Sequence, residues 1–261
     1  MTLPDLAPAA WLLLAAAAAL VGLSKTAIPG INTLSIAAFA AVLPARNSTG
    51  ALLLLLLLGD AFALLSYRKY AHWPTLLRLI PAVLAGLALG ALFLAVADDA
   101  WVRRVIGVIL LMVVAVTLWQ RGRSAAARAT GAAAAPDAST APGAGRLASA
   151  SYGTLGGFTT MVANAGGPVM SMYFLAARFP VHAFLGTAAW FFAVINLTKL
   201  PISIGLGLIT PELLMLDLVL APGVVLGALL GRWIASRIKQ RAFDWAVIGC
   251  TVLGAAYLLV S

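Results

Sequence analysis

The chain has 261 residues, of which 63% are hydrophobic and 10% charged, and its mean hydropathy is +1.04; these values exclude an ordinary soluble domain and describe a polytopic membrane protein. The net charge of +9 raises nucleic acid as a partner, but the basic residues sit in short loops between apolar runs and form no basic face, so they read as topology signals and no nucleic-acid partner is expected. The single cysteine, Cys250, lies inside the last apolar run, so no disulfide framework, metal site or cofactor is expected.

The first ten residues hold Asp5 and no Lys or Arg, lack the basic start of a signal peptide, and lead into a first apolar run expected to be retained. Trp11 to Ala45 is one apolar stretch interrupted at Ser24–Gly30. The part beyond the interruption is too short for a full span, which needs about 20 residues. Two tilted short helices or one re-entrant hairpin both fit. Thr49–Ser66, Thr75–Ala97 and Trp101–Trp119 follow as three spans. Residues 120–146, rich in Ala, Gly, Ser and Pro and without apolar period, read as a flexible, solvent-exposed linker.

The pattern then restarts. Leu147–Phe179 is a second interrupted stretch, broken at Gly156–Pro168, and Val181–Gly207, Leu213–Ile234 and Phe243–Val260 are three more spans. Pro44, Gly50 and Asp60 fall on Pro180, Gly186 and Asn196 at one constant offset; Pro81, Gly86 and Gly90 fall on Pro222, Gly227 and Gly231 at another; Val105-Ile-Gly107 echoes Val247-Ile-Gly249. An ordered series of this kind points to duplication. The expected fold is therefore an all-α polytopic membrane protein of two repeats, 1–119 and 147–261, around the linker 120–146. Each repeat holds a broken or re-entrant pair plus three transmembrane helices. Five apolar elements per repeat make the topology inverted.

Orientation follows from the basic loops. Arg68, Lys69, Arg78, Arg121, Arg123, Arg128, Arg146, Arg178, Arg232, Arg237, Lys239 and Arg241 fall on one face, against Arg46, Arg103 and Arg104 on the other. This makes the linker side cytoplasmic and puts both termini outside. Six tryptophans lie near predicted helix ends, as an interfacial belt requires, and Trp190 alone sits well inside a span.

The two interruptions are the candidate site. Backbone that leaves the helix at membrane depth is tolerated only where protein or a water-lined cavity satisfies it, and such breaks line transport sites. Lys25 lies in the first interruption and Lys199 in a later span, each beside a proline expected to disrupt the helix, Pro29 and Pro201. A lysine at the centre of a span costs about 2.5–3.5 kcal/mol on insertion scales and is usually functional; snorkelling to an interface is the competing reading for both. New helix starts at Pro29-Gly30 and Gly167-Pro168 would turn free N–H groups toward an anion. Ser24, Thr26, Thr159, Thr160, Asn164 and the Gly166/Gly167 backbone add neutral donors, and Asn196 faces the same region through the repeat. Asp60 reads as a proton carrier or lysine partner, or else as a structural ion-pair partner or a residue near the cytoplasmic end of its helix. Asp217, nearer a helix end, reads as interfacial. Ala82/Gly86/Gly90 and Gly223/Gly227/Gly231 read as helix-packing seams.

The Gly-x-Ser-Lys-Thr opening after the first apolar run, the polar Gly-Gly-Pro break after a central linker and the duplicated layout resemble the TauE/SafE family of sulfite and organosulfonate exporters. Where relatives often carry several glycines after the lysine, this chain has Ala27-Ile-Pro29-Gly30. The resemblance covers essentially the whole chain. It implies a secondary transporter, an exporter of sulfite or an organosulfonate, in a bacterial-type inner membrane; the residues themselves indicate an anion-friendly membrane site.

The expected partners are thus a small anionic substrate and the lipid bilayer, with a homo-oligomer compatible with the sequence. A passive anion channel, a permease for a small carboxylate and a non-transporting scaffold stay open as alternatives. An enzyme is not expected. His-Glu-x-x-His, a Walker loop and Gly-x-Ser-x-Gly do not occur, and His72 and His182 are expected in loops.

Overall fold

The computed structural model describes residues 6–28, 31–109, 146–177 and 179–239, together with residues 112, 115 and 242. The described residues are helical, without a strand, and run in the order α1 (Pro8–Thr26), α2 (Asn32–Val42), α3 (Ala45–Tyr67), a 3-10 turn at Arg68–Tyr70, α4 (Trp73–Val96), α5 (residues 99–109), α6 (Arg146–Ala163), α7 (Gly166–Ala176), α8 (Val181–Gly205) and α9 (Pro211–Ala235). Five of these, α1, α3, α4, α8 and α9, are long and apolar enough to cross a membrane. The chain is an all-α polytopic membrane protein. Phe243–Val260, Cys250 and the linker up to residue 145 lie outside the described residues.

The helix boundaries follow local chemistry. Pro44 and Pro180 stand as equivalent N-caps of α3 and α8, each with extended backbone (ψ 140° and 154°). Proline cannot supply the N–H that a helix interior needs but is tolerated at a helix start. Pro201, expected to disrupt its helix, does not: α8 continues through it to Gly205. Pro81 and Pro222 likewise sit inside α4 and α9. In a membrane bundle neighbouring helices and local adjustment satisfy the freed carbonyls.

Both interrupted stretches fold back on themselves. Ser35 of α2 donates to the carbonyl of Ala17 in α1 at 2.9 Å, and the Ser149 and Tyr173 hydroxyls of α6 and α7 meet at 3.0 Å. The two arms are unequal, however. α2 and α7 have 11 residues each, about 16 Å at 1.5 Å per residue and half a bilayer core, whereas α1 has 19 residues and is of spanning length by itself.

Two helix pairs make the closest seams. α4 lies on α6, and α9 lies on α1. A methyl group at Gly86 would land on the Thr154 carbonyl, and one at Gly227 on the Ala19 carbonyl, so only glycine permits these backbones to approach. α3 and α8 form the central contact and run antiparallel. Gly50 meets Leu208, Gly186 meets Tyr67 and Tyr70, and Asp60 meets Asn196 midway, with Asn196 Nδ2 donating to Asp60 Oδ2 at 2.6 Å.

One smaller expectation changes. His182 belongs to the first turn of α8, where it packs beside the Tyr67 and Tyr70 rings, while His72 does precede α4 as its N-cap. Trp190 is central in α8 by count, yet its indole donates to the Arg68 carbonyl at 3.2 Å and packs on Trp73, at the turn between α3 and α4.

Candidate functional site

The first break ends α1 at Thr26 and restarts the helix at Asn32. The second ends α6 at Ala163 and restarts at Gly166, which puts Pro168 in the first turn of α7. Asn164 makes the second turn possible by adopting φ +53°, the left-handed region that Asn tolerates better than most residues. Its side chain fixes the turn. Nδ2 donates to the Thr49 carbonyl at 2.9 Å, and Oδ1 accepts from Lys199 Nζ at 2.5 Å.

The two breaks open onto one cavity. Ser24, Lys25 and Asn32 line it from the first break, Thr160, Asn164 and Gly167 from the second, and Leu56, Asp60, Ala188, Ala189, Phe192 and Asn196 from α3 and α8. Its free volume is about 20 Å³, room for a single water by the usual requirement of roughly 10–15 Å³. A ligand of several heavy atoms enters only if the walls part.

The charges here are arranged specifically. Lys25 Nζ lies 2.7 Å from Asp60 Oδ1, with side chains 8% and 2% exposed, and sits 4.5 Å from the centroid of the Phe192 ring. Lys25 therefore does not snorkel; it is an ammonium held by a carboxylate and an aromatic face. Lys199 is fully buried, which also removes the snorkelling reading for it, and it donates to the Thr160 carbonyl at 2.6 Å as well as to Asn164. Both of those partners are neutral. With both lysines and Asp60 ionised, the three charges sum to one positive.

Of the residues proposed from sequence, Ser24, Lys25, Asp60, Thr160, Asn164, Gly167 and Asn196 are brought together. Thr26 is not among the lining residues. Its hydroxyl donates to the carbonyls of Gly22 and Ala228 at 3.0 and 2.9 Å and ties α1 to α9. Lys199 stands behind the wall, gripping the second break rather than lining the cavity. Gly166 packs against Thr160, and Thr159 bonds back to its own helix at Leu155. Gly30 and Pro29 lie outside the described residues. Asp217, expected at an interface, is 6% exposed, and neither carboxylate oxygen has a hydrogen-bond partner.

Sequence reasoning missed Asn32 and Phe192. Asn32 donates to the Asn164 backbone carbonyl at 3.3 Å and joins the two breaks directly. Its signal was present: an amide in the first turn after a helix break. Phe192 carried none, since an aromatic in an apolar span is ordinary lipid- or core-facing material until a cation is seen above it.

The sequence pattern of the family described as Sulfite exporter TauE/SafE matches residues 14–258 of the chain. No curated protein and no solved structure matches it.

Proposed function

Because the chain belongs to the Sulfite exporter TauE/SafE family, we infer that it is a secondary transporter, an exporter of a small sulfur-containing anion such as sulfite or an organosulfonate, working by alternating access. The observation that carries this reading is a cavity lined by both helix breaks, with Lys25 on one side and Gly167 of the α7 N-terminus on the other. Backbone N–H groups at a helix start and a lysine ammonium are complementary to an oxyanion. Lys25, Ser24, Thr160 and the Gly167 backbone contact the anion. Lys199 holds the second break in shape and contributes long-range positive charge.

The scaffold consists of two halves, residues 1–119 and 147–261, related by a pseudo-twofold axis in the membrane plane. This reading is supported by the antiparallel α3–α8 contact with Asp60 against Asn196 and by the paired seams of α4 on α6 and α9 on α1. The excess of Lys and Arg on one face puts linker 120–146 in the cytoplasm and both termini outside an inner membrane.

Reconstituted protein tests the reading through counterflow. Proteoliposomes loaded with unlabelled sulfite are expected to accumulate labelled sulfite transiently and saturably. Linear, non-saturating entry without counterflow would identify a channel, and no entry of sulfite, sulfonates or small carboxylates would remove the transport reading.

A further inference from the structure

Asp60 is the one acid of the cavity, and its position is awkward for an anion site. An anion that contacts the Lys25 ammonium comes to lie beside the Asp60 carboxylate, because that carboxylate already touches the same ammonium at 2.7 Å. Two anions side by side in a site this dry do not both remain charged without a large cost. We propose that Asp60 is an internal counter-anion of Lys25 that the transported anion displaces, and that Asp60 leaves the pair by taking up a proton. This inference rests on the transport reading above and makes one proton bind together with each anion.

The step balances. One proton from water adds to a carboxylate oxygen of Asp60, the Lys25 ammonium keeps its protons and turns to the incoming anion, and for a monovalent anion the buried charge stays at one positive before and after. The surroundings provide for both forms of the acid. Asn196 Nδ2 donates to Asp60 Oδ2, while Asn196 Oδ1 has no hydrogen-bond partner. Rotation of that amide lets it accept from a protonated Asp60 as readily as it now donates to the carboxylate. A charged residue at position 196 would serve one form alone.

The charges acting on Asp60 from the elements packed against α3 are Lys25 of α1 and Lys199 of α8. α2 carries no charged residue. α9 carries Glu212, Asp217 and Arg232, none of which lines the cavity. The 3-10 turn that follows α3 exposes Arg68 and Lys69. The acid thus answers to the two buried lysines and to whatever anion joins them.

Infrared difference spectroscopy of the full chain in lipid, with and without saturating sulfite, reads the protonation directly. Sulfite binding is expected to produce a carboxylic-acid C=O band that shifts in D2O and with isotopically labelled aspartate, and binding of an alkylsulfonate, whose own charge does not change with pH, is expected to weaken up to tenfold per pH unit as pH rises, the linkage for one proton per anion. The band is expected to vanish in Asp60→Asn and to survive in Asp217→Asn, whose side chain lies outside the cavity. Saturable sulfite binding to the wild-type protein without an acid band overturns the inference while leaving transport standing. Persistence of the band in Asp60→Asn, or its loss in Asp217→Asn where Asp60→Asn does not fold, overturns it equally. Absence of sulfite binding and counterflow in the wild type is instead the failure of the transport reading.

Discussion

Replacing Lys25 by methionine keeps an unbranched stem of similar length and removes only the charge, which isolates what the ammonium does for the fold. Its partner Asp60 is then left in a pocket where its side chain is 2% exposed, facing an amide at 2.6 Å and no adjacent cation. Breaking a buried pair by removing one member costs about 3–5 kcal/mol, because the remaining charge is stranded, and the lost contact with the Phe192 ring adds roughly 0.5–2 kcal/mol. The expected loss for Lys25→Met is therefore roughly 3.5–7 kcal/mol. The double variant Lys25→Met with Asp60→Asn strands no charge and is expected to recover most of it, since replacing both members of a buried pair is often nearly neutral. Unfolding free energies in mixed micelles, measured for wild type, both single variants and the double, close the cycle. A strictly additive cycle, or a Lys25→Met protein as stable as wild type, would refute the buried ion pair.

Three further outcomes follow from the packing around the site. Thr26→Val removes the hydroxyl that ties α1 to the Ala228 carbonyl of α9 and is expected to cost about 0.5–1.5 kcal/mol in the same assay while changing anion affinity less than threefold. Gly227→Leu drives a side chain into the Ala19 carbonyl between α1 and α9 and is expected to lose roughly 3 kcal/mol, the upper end for overpacking, because a helix backbone cannot yield as a side chain can; thermal melts in detergent check it. Asn164→Ala and Asn164→Gly both lose the contacts to Lys199 and Thr49, but the alanine also bears a left-handed backbone, so it is expected to be less stable than the glycine variant by about 1–2 kcal/mol.

Much of this arrangement could be read from the chain because breaks in a membrane helix are chemically loud. Ser-Lys-Thr followed by Pro29-Gly30, and Asn164 followed by Gly166-Gly167-Pro168, stand out in runs of Leu and Ala. The offset that pairs Pro44 with Pro180 also pairs Asp60 with Asn196, but the offset alone did not announce that the two side chains touch. The partner of each polar group was not legible. Whether Lys25 faces Asp60 or Lys199 does depends on which helix faces meet, and α3 and α8 are apolar on nearly every side. Thr26, one residue from Lys25, points to α9 instead of the cavity because a helix turns about 100° per residue. Proline misled at position 201, where the bundle absorbs a residue that would break an isolated helix.

The most direct test of the anion site uses the protein that lacks the Lys25–Asp60 pair but keeps its fold, Lys25→Met with Asp60→Asn, in a sulfite titration of thermal stability. A ligand present at a hundred times its dissociation constant stabilises the folded state by about 2.7 kcal/mol. Wild-type protein is expected to show a dose-dependent rise in melting temperature of that origin, and the double variant to show none at the same concentrations. A double variant that folds and is stabilised by sulfite as strongly as wild type would mean that the anion binds somewhere other than between the two breaks.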